Sequence, residues 1–223
     1  MMKTKKLSLI AGVSVCALII LLTAVYAILS SSSALAEKII LPCDIEDSYA
    51  KEAIEWAVEN GFMQTEISDG QAYFFPQAEV KKAEMAKVLM LYLGVDVKKY
   101  ESMEIGFADE SQISEDFLPY VRAALSGGYI KLFSDYTYLE DHPMRREEVA
   151  DIFAPLCKIG VSAGKSENFS DFGKVSIYFS DNVKKVVDLE IMIGYPDGTL
   201  RPQNAITKEE LAMVLYRFAQ LEQ

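Results

Sequence analysis

Histidine and cysteine are scarce in this 223-residue chain, and neither stands in a pattern that marks a chemical site. No Cys, Ser or second His accompanies the single histidine, His142, in a way that suggests a nucleophile–histidine centre, and it reads as an exposed loop residue. The three cysteines, Cys16, Cys43 and Cys157, form no CxxC pair, which removes the usual zinc spacings. No metal and no cofactor are expected. Positive charge is also short: 22 basic residues face 33 acidic ones, a net charge of -11. Such a surface repels nucleic acid and anionic membrane, so an anionic ligand has to be caught by a local cation against the overall field. The carboxylates are plentiful but distributed. No pair is singled out for glycoside hydrolysis, and the chain reads as a binding protein rather than an enzyme.

What is there begins with a targeting segment. Lys3, Lys5 and Lys6 precede an almost continuous apolar run, Leu7 to Leu29, and Ala34-Leu35-Ala36 supplies an A-x-A cleavage signature. Residues 1–36 are expected to be a signal peptide cut after Ala36. A retained anchor is the competitor, because the apolar run is long enough to span a bilayer. In either case the remainder faces outward. Beyond the leader only Cys43 and Cys157 remain. They either pair as a disulfide, or Cys43 is simply a small buried apolar residue.

The most informative stretch is Gly194 to Glu210. Pro196 and Gly198 mark a turn, and Pro202 keeps the following loop extended. Thr207 and Glu210 stand in capping-box register, and Leu211, Val214, Leu215, Phe218 and Leu221 follow at helical spacing. Two other helix starts are related, Val80 to Glu84 and Met144 to Glu148. Their third positions are basic, giving the set Lys82, Arg146 and Lys208. Upstream lie Asp44, Asp109 and Asp171, and the distance from aspartate to base is 38, 37 and 37 residues. Two anchors holding one internal distance three times indicate an internal repeat. Each repeat is expected to hold a first helix (near Tyr49–Asn60, Leu118–Ser126 and Asp181–Leu189), a loop, and a second helix. A single helix pair buries too little apolar surface to stand alone, so the repeats must share a core. The aspartates read as turn or capping residues, and Trp56 as core.

Gly194-Tyr195-Pro196-Asp197-Gly198-Thr199-Leu200-Arg201-Pro202, followed by Ile206-Thr207-Lys208-Glu209-Glu210, resembles the second half of an S-layer homology (SLH) domain. That family's pattern is a GYxDGTFxP loop leading into an ITRAEFA-like helix. The resemblance implies a mostly α fold in which three SLH repeats, 41–100, 101–164 and 165–223, form a pseudo-threefold trimer within one chain, its second helices bundled at the centre. It also implies non-covalent attachment to the bacterial cell envelope, at the cell surface, by binding secondary cell-wall polysaccharide, often pyruvylated. Carried over by position, the motif's basic residue gives Lys82, Arg146 and Lys208 as ligand contacts, with Tyr195, Asp197 and Gly198 from the loop.

Only the third repeat keeps the whole motif. The first has Asp69-Gly70 and Phe75-Pro76 at altered spacing. The second has Tyr136 for the turn glycine and Glu140 for the proline, and Glu190 stands in the third where a glycine usually ends the first helix. Lys208 is therefore expected to be the strongest contact. A cation beside free helix amides makes a small anion site. The structural alternative is that each base pairs with Glu84, Glu148 or Glu210 on a solvated face. An envelope adaptor that binds another protein through degenerate repeats is the second functional reading.

Overall fold

A computed structural model describes residues 40–160 and 164–221. The expected leader and its cleavage site lie outside these residues. Among these residues six α-helices carry the fold: α1 (Lys51–Glu59), α2 (Lys82–Tyr92), α3 (Leu118–Ser126), α4 (Arg146–Leu156), α5 (Ser180–Asp188) and α6 (Lys208–Leu221). The fold is mostly helical, as expected.

Helices α1, α3 and α5 end alike. Gly61, Gly128 and Glu190 all take left-handed backbone, with φ of 72°, 70° and 58°. The next amide then reaches back to close the helix. Phe62 N–H donates to the Ala57 carbonyl (2.9 Å), Tyr129 to Ala124 (3.0 Å) and Ile191 to Val186 (2.9 Å). Glu190 thus keeps the glycine conformation at a steric cost, and its carboxylate is held by Lys165 Nζ at 2.5 Å.

Helices α2, α4 and α6 share a capping device. The amides of Lys81, Arg145 and Thr207 donate to the carboxylates of Glu84 (2.8 Å), Glu148 (2.8 Å) and Glu210 (3.1 Å). Only Thr207 completes the box, its hydroxyl accepting from Glu210 N–H at 3.3 Å. A lysine or arginine side chain has no acceptor to offer. Half of the box therefore survives where the threonine is gone.

The three aspartates do something more specific than closing a local turn. Each spreads its carboxylate across two successive amides of a distant loop. Asp44 accepts from Phe74 and Phe75 (both 2.8 Å), Asp109 from Tyr138 (2.7 Å) and Leu139 (2.8 Å), and Asp171 from Leu200 (2.7 Å) and Arg201 (2.9 Å). Charge-assisted bonds of this kind are about twice as strong as neutral ones. They force the second residue of each pair, Phe75, Leu139 and Arg201, into left-handed backbone (φ 57°, 57° and 53°).

Just ahead of α2, α4 and α6 the chain makes a closed ring of three backbone hydrogen bonds. Val80 N–H donates to Ile206 (3.0 Å), Ile206 to Met144 (2.8 Å) and Met144 to Val80 (2.9 Å). The helix packing is cyclic as well: α1 lies on α6, α3 on α2, and α5 on α4. A continuous apolar core fills the space between them, including Ile54, Met85, Leu89, Val149, Phe153, Leu211, Leu215 and Phe218. Phe218 meets both Phe153 and Tyr92 edge-on, with centroids 5.2 and 5.8 Å apart. Trp56 is half-buried, wedged between Phe62 and Tyr216.

The altered spacing after α1 has a local explanation. β1 (Glu66–Ser68) and β2 (Gln71–Tyr73) form an antiparallel hairpin. Asp69 and Gly70 turn it with φ of 51° and 76°, the paired positive φ of a tight hairpin turn. Cys43 and Cys157 are free thiols, so they do not pair. Cys43 is exposed, whereas Phe107, in the same place ahead of Asp109, is buried; the small-buried-residue reading of Cys43 fails too. His142 is half-buried, edge-on to Phe133 at 5.0 Å, rather than an exposed loop residue.

Candidate functional site

Three grooves open beside the starts of α2, α4 and α6, and each contains one of the three motif bases. The first, about 640 Å³, is lined by Arg146 and the loop 192–196, with Tyr49, Glu210 and Arg217 also on its walls. The second, about 310 Å³, contains Lys82 with Phe133, Arg145 and Glu148. The third, about 210 Å³, contains Lys208 with Phe62, Glu84 and Phe117.

The loop and the base of one groove come from different parts of the sequence. The intact turn, Gly194 to Pro202, does not face Lys208. It faces Arg146. Nε of Arg146 donates to the Leu200 carbonyl (2.9 Å) and Nη2 to the Ile193 carbonyl (2.7 Å). Nη1 lies 3.3 Å from Glu210, and the guanidinium sits 5.0 Å from the Tyr195 ring centre. Lys208 instead pairs with Glu84 at 3.6 Å, both side chains largely covered. The expectation that Lys208 works together with Tyr195, Asp197 and Gly198 is therefore corrected. Neither does any base pair with its own helix's third-position glutamate. Arg146 reaches Glu210 and Lys208 reaches Glu84, each on a different helix; the first pair is buried and the second partly covered.

The free-amide argument also fails. The first two amides of each of these helices are already taken by carbonyls from elsewhere in the chain. Lys82 and Ala83 donate to His142 (2.9 Å) and Glu140 (3.1 Å). Arg146 and Glu147 donate to Asn204 and Pro202 (both 3.0 Å). Lys208 and Glu209 donate to Ala78 (2.9 Å) and Pro76 (3.0 Å). These helix starts have been spent on internal contacts, leaving no amide pair to cradle an anion.

Lys82 is buried. Its ammonium stands over the Phe133 ring at 4.0 Å and near that of Tyr138 at 4.8 Å. Burial lowers its pKa to about 8, against the pull of Glu148 and Asp109. It is an enclosed cation rather than one presented to solvent.

In the intact loop, Asp197 faces inward to its own turn. It accepts from Thr199 Oγ1 (2.5 Å), Arg201 Nη2 (2.7 Å) and Thr199 N–H (3.0 Å), in that order of effect holding its pKa near 2. Gly198 takes φ of 76° and closes the turn onto the Tyr195 carbonyl at 3.0 Å. Both shape the loop; neither lines the groove. Tyr195 does line it. The Arg201 guanidinium covers its ring at 3.8 Å, and its hydroxyl donates to Glu210. Burial, followed by the bond to Glu210, raises the Tyr195 pKa to about 12. Gly194 is required here, since a Cβ would stand 2.0 Å from Phe169 Cε1 and 2.6 Å from the Thr199 carbonyl.

The largest groove thus brings together Arg146, Tyr195 and Glu210. It adds three residues that motif reading did not assign to it. Tyr49 projects at its rim, 66 % exposed. Glu209 is held by Ser48 Oγ (2.6 Å) and Gln77 Nε2 (2.5 Å). Arg217 lies two turns along α6 from the helix start. Its sequence signal was weak, a lone arginine beside the apolar stripe at Val214 and Phe218.

The three grooves are thus clefts in a helical scaffold, lined by aromatic side chains and a few charged groups. Residues 168–212 match the S-layer homology domain family. Two curated relatives come from Acetivibrio thermocellus. Cell surface glycoprotein 1 is 27% identical over 169 residues, covering 65% of this chain and 6% of that protein. The Cellulosome-anchoring protein is 34% identical over 93 residues, covering 40% of this chain and 21% of that protein. The chain therefore matches only a small part of each relative's length.

Proposed function

We propose that this chain attaches to the bacterial cell envelope, on its outer side, by holding a secondary wall polysaccharide in the groove that Arg146 and Tyr195 line. In this reading three SLH-type units, 41–100, 101–164 and 165–223, close into a single-chain trimer with pseudo-threefold symmetry. The cyclic helix packing and the ring joining Val80, Ile206 and Met144 support that arrangement. The observation that carries the functional reading is the groove itself. It has the largest volume of the three, and it joins the one intact GYPDGT loop to a motif arginine. Tyr49 at its rim offers a ring face for a sugar to stack on. The grooves of Lys82 and Lys208 are smaller and their cations are engaged within the protein. The SLH domain and the cell-surface relatives support envelope attachment. The polymer class, including its pyruvylated forms, is what the family resemblance implies. The role is binding without catalysis.

The relative named as a cellulosome-anchoring protein favours a second reading, in which the chain holds another envelope protein. Co-sedimentation with purified sacculi separates the two. Binding that disappears when the accessory polymer is extracted supports the polysaccharide reading. Binding only to envelopes that retain their proteins would replace it with the adaptor.

A further inference from the structure

Arg146 is the obvious partner for an acidic sugar, yet its guanidinium is already committed. Two of its N–H groups go to backbone carbonyls and a third faces Glu210. Its side chain is 4% exposed. The acids of the same groove are committed too. Glu210 receives Arg146, the Tyr195 hydroxyl and the Thr207 amide. Glu209 receives Ser48 and Gln77. Arg217 is different. It lines the groove and its side chain makes no hydrogen bond or ion pair among the described residues, although it is only partly exposed. Glu190, the acid whose field reaches it, is bonded to Lys165 instead.

Holding a guanidinium partly out of water with no partner costs free energy. Burial indeed pulls the Arg217 pKa below its ordinary value, with Tyr49 and Glu190 acting against that shift. The position is also singular within the chain. Nine residues after each motif base stand Leu91, Pro155 and Arg217. The other two helices place nothing charged there, so the scaffold does not need a cation at this point.

We propose that Arg217 is the residue that selects for a carboxylate-bearing glycan in this groove, while Arg146 is a positioning residue that holds the loop. The proposal rests on the wall-polysaccharide reading above and deepens it. A planar guanidinium with its fork unused matches a carboxylate through two parallel hydrogen bonds. Tyr49, on the same groove wall, supplies the ring against which the sugar bearing that carboxylate lies. Glu209 and Glu210 disfavour an anion near the helix start. They leave the Arg217 end of the groove as the place for one.

The test uses the full chain, in wild-type, Arg217→Gln and Arg217→Lys forms, with melting curves on each. The probes are purified sacculi and the same sacculi with carboxyls converted to ethanolamides by carbodiimide. Wild type is expected to bind untreated walls at least about tenfold more tightly than amidated walls, the size of one charged hydrogen-bonded contact. Arg217→Gln should bind both alike, at the wild type's amidated level, with an unchanged melting temperature. Arg217→Lys should keep a preference for the untreated wall but bind it less tightly. If Arg217→Gln discriminates as well as wild type does, the proposal is overturned and the wall-binding reading stands. If wild type binds neither preparation, the wall-binding reading itself has failed.

Discussion

Arg146→Ala should destabilise the fold before it reports anything about ligand. The side chain is almost fully buried and makes three polar contacts, at 2.9 Å to Leu200, 2.7 Å to Ile193 and 3.3 Å to Glu210. Truncation leaves two carbonyls without that donor and strips a mostly buried carboxylate of its cation. Each orphaned acceptor costs about 1–3 kcal/mol, and breaking a buried ion pair from one side costs about 3–5 kcal/mol. Glu210 keeps the Thr207 amide and the Tyr195 hydroxyl, which places the total near about 4 kcal/mol rather than at the sum. For a domain of this size that is a melting-temperature drop of about 8–16 °C. Lys208→Ala removes one ion pair with a partly exposed acid and should cost less than about 1 kcal/mol. Urea unfolding of both variants, with the slope checked against wild type, measures the difference. An Arg146→Ala protein as stable as wild type but unable to bind walls would refute this reasoning. It would return Arg146 to the role of direct ligand contact.

Two further outcomes follow from single side chains. Lys82 has a folded pKa of about 8, lowered from 10.5, so the unfolded chain binds more protons between those values and stability rises with pH across that window. Between pH 7 and 9 wild type should gain roughly 1 kcal/mol over Lys82→Met, read as the difference of two urea midpoints; an identical pH profile in the two proteins would show that Lys82 is not held as described. Tyr136 is exposed and sits at φ 63° where a glycine is at ease, so Tyr136→Gly should stabilise by about 0.5–1 kcal/mol, and a lowered midpoint would mean its ring contributes contacts worth more than the strain.

Local signals are legible in the sequence because their physics is local. Periodicity placed α3 at Leu118–Ser126, its observed span, and set α1 and α5 within a residue or two. The glutamate half of each capping box is a three-residue event and was legible at Thr207 and Glu210. The role of the aspartates is not legible as a local turn, because their partners lie 29 to 31 residues away. No single-residue preference encodes such a contact. The groove was harder still. Its base and its loop are joined by bonds spanning 47 and 54 residues. A reading that kept each loop with the helix after it was bound to pair the intact turn with Lys208.

The same long reach explains why a decayed motif need not mean a decayed structure. Ser48 donates to Glu209 through its hydroxyl, and Ser176 donates to Glu147 through both hydroxyl and amide. Those two glutamates are the second residues of α6 and α4. The matching residue of α2 is Ala83, which cannot accept, so Ser114 ought to be stranded. It is not: its amide and hydroxyl both donate to Glu140 at 2.8 Å. Glu140 is the residue that replaced the loop proline. The proline's remaining structural duty, a carbonyl for the second amide of the helix, is still done there by the Glu140 carbonyl at 3.1 Å. One substitution thus supplies the carboxylate that another removed, and it keeps the backbone bond that Pro76 and Pro202 make elsewhere. Departure from a motif, position by position, counts such exchanges as losses. The hydrogen-bond pattern counts them as the same structure reached by a different residue.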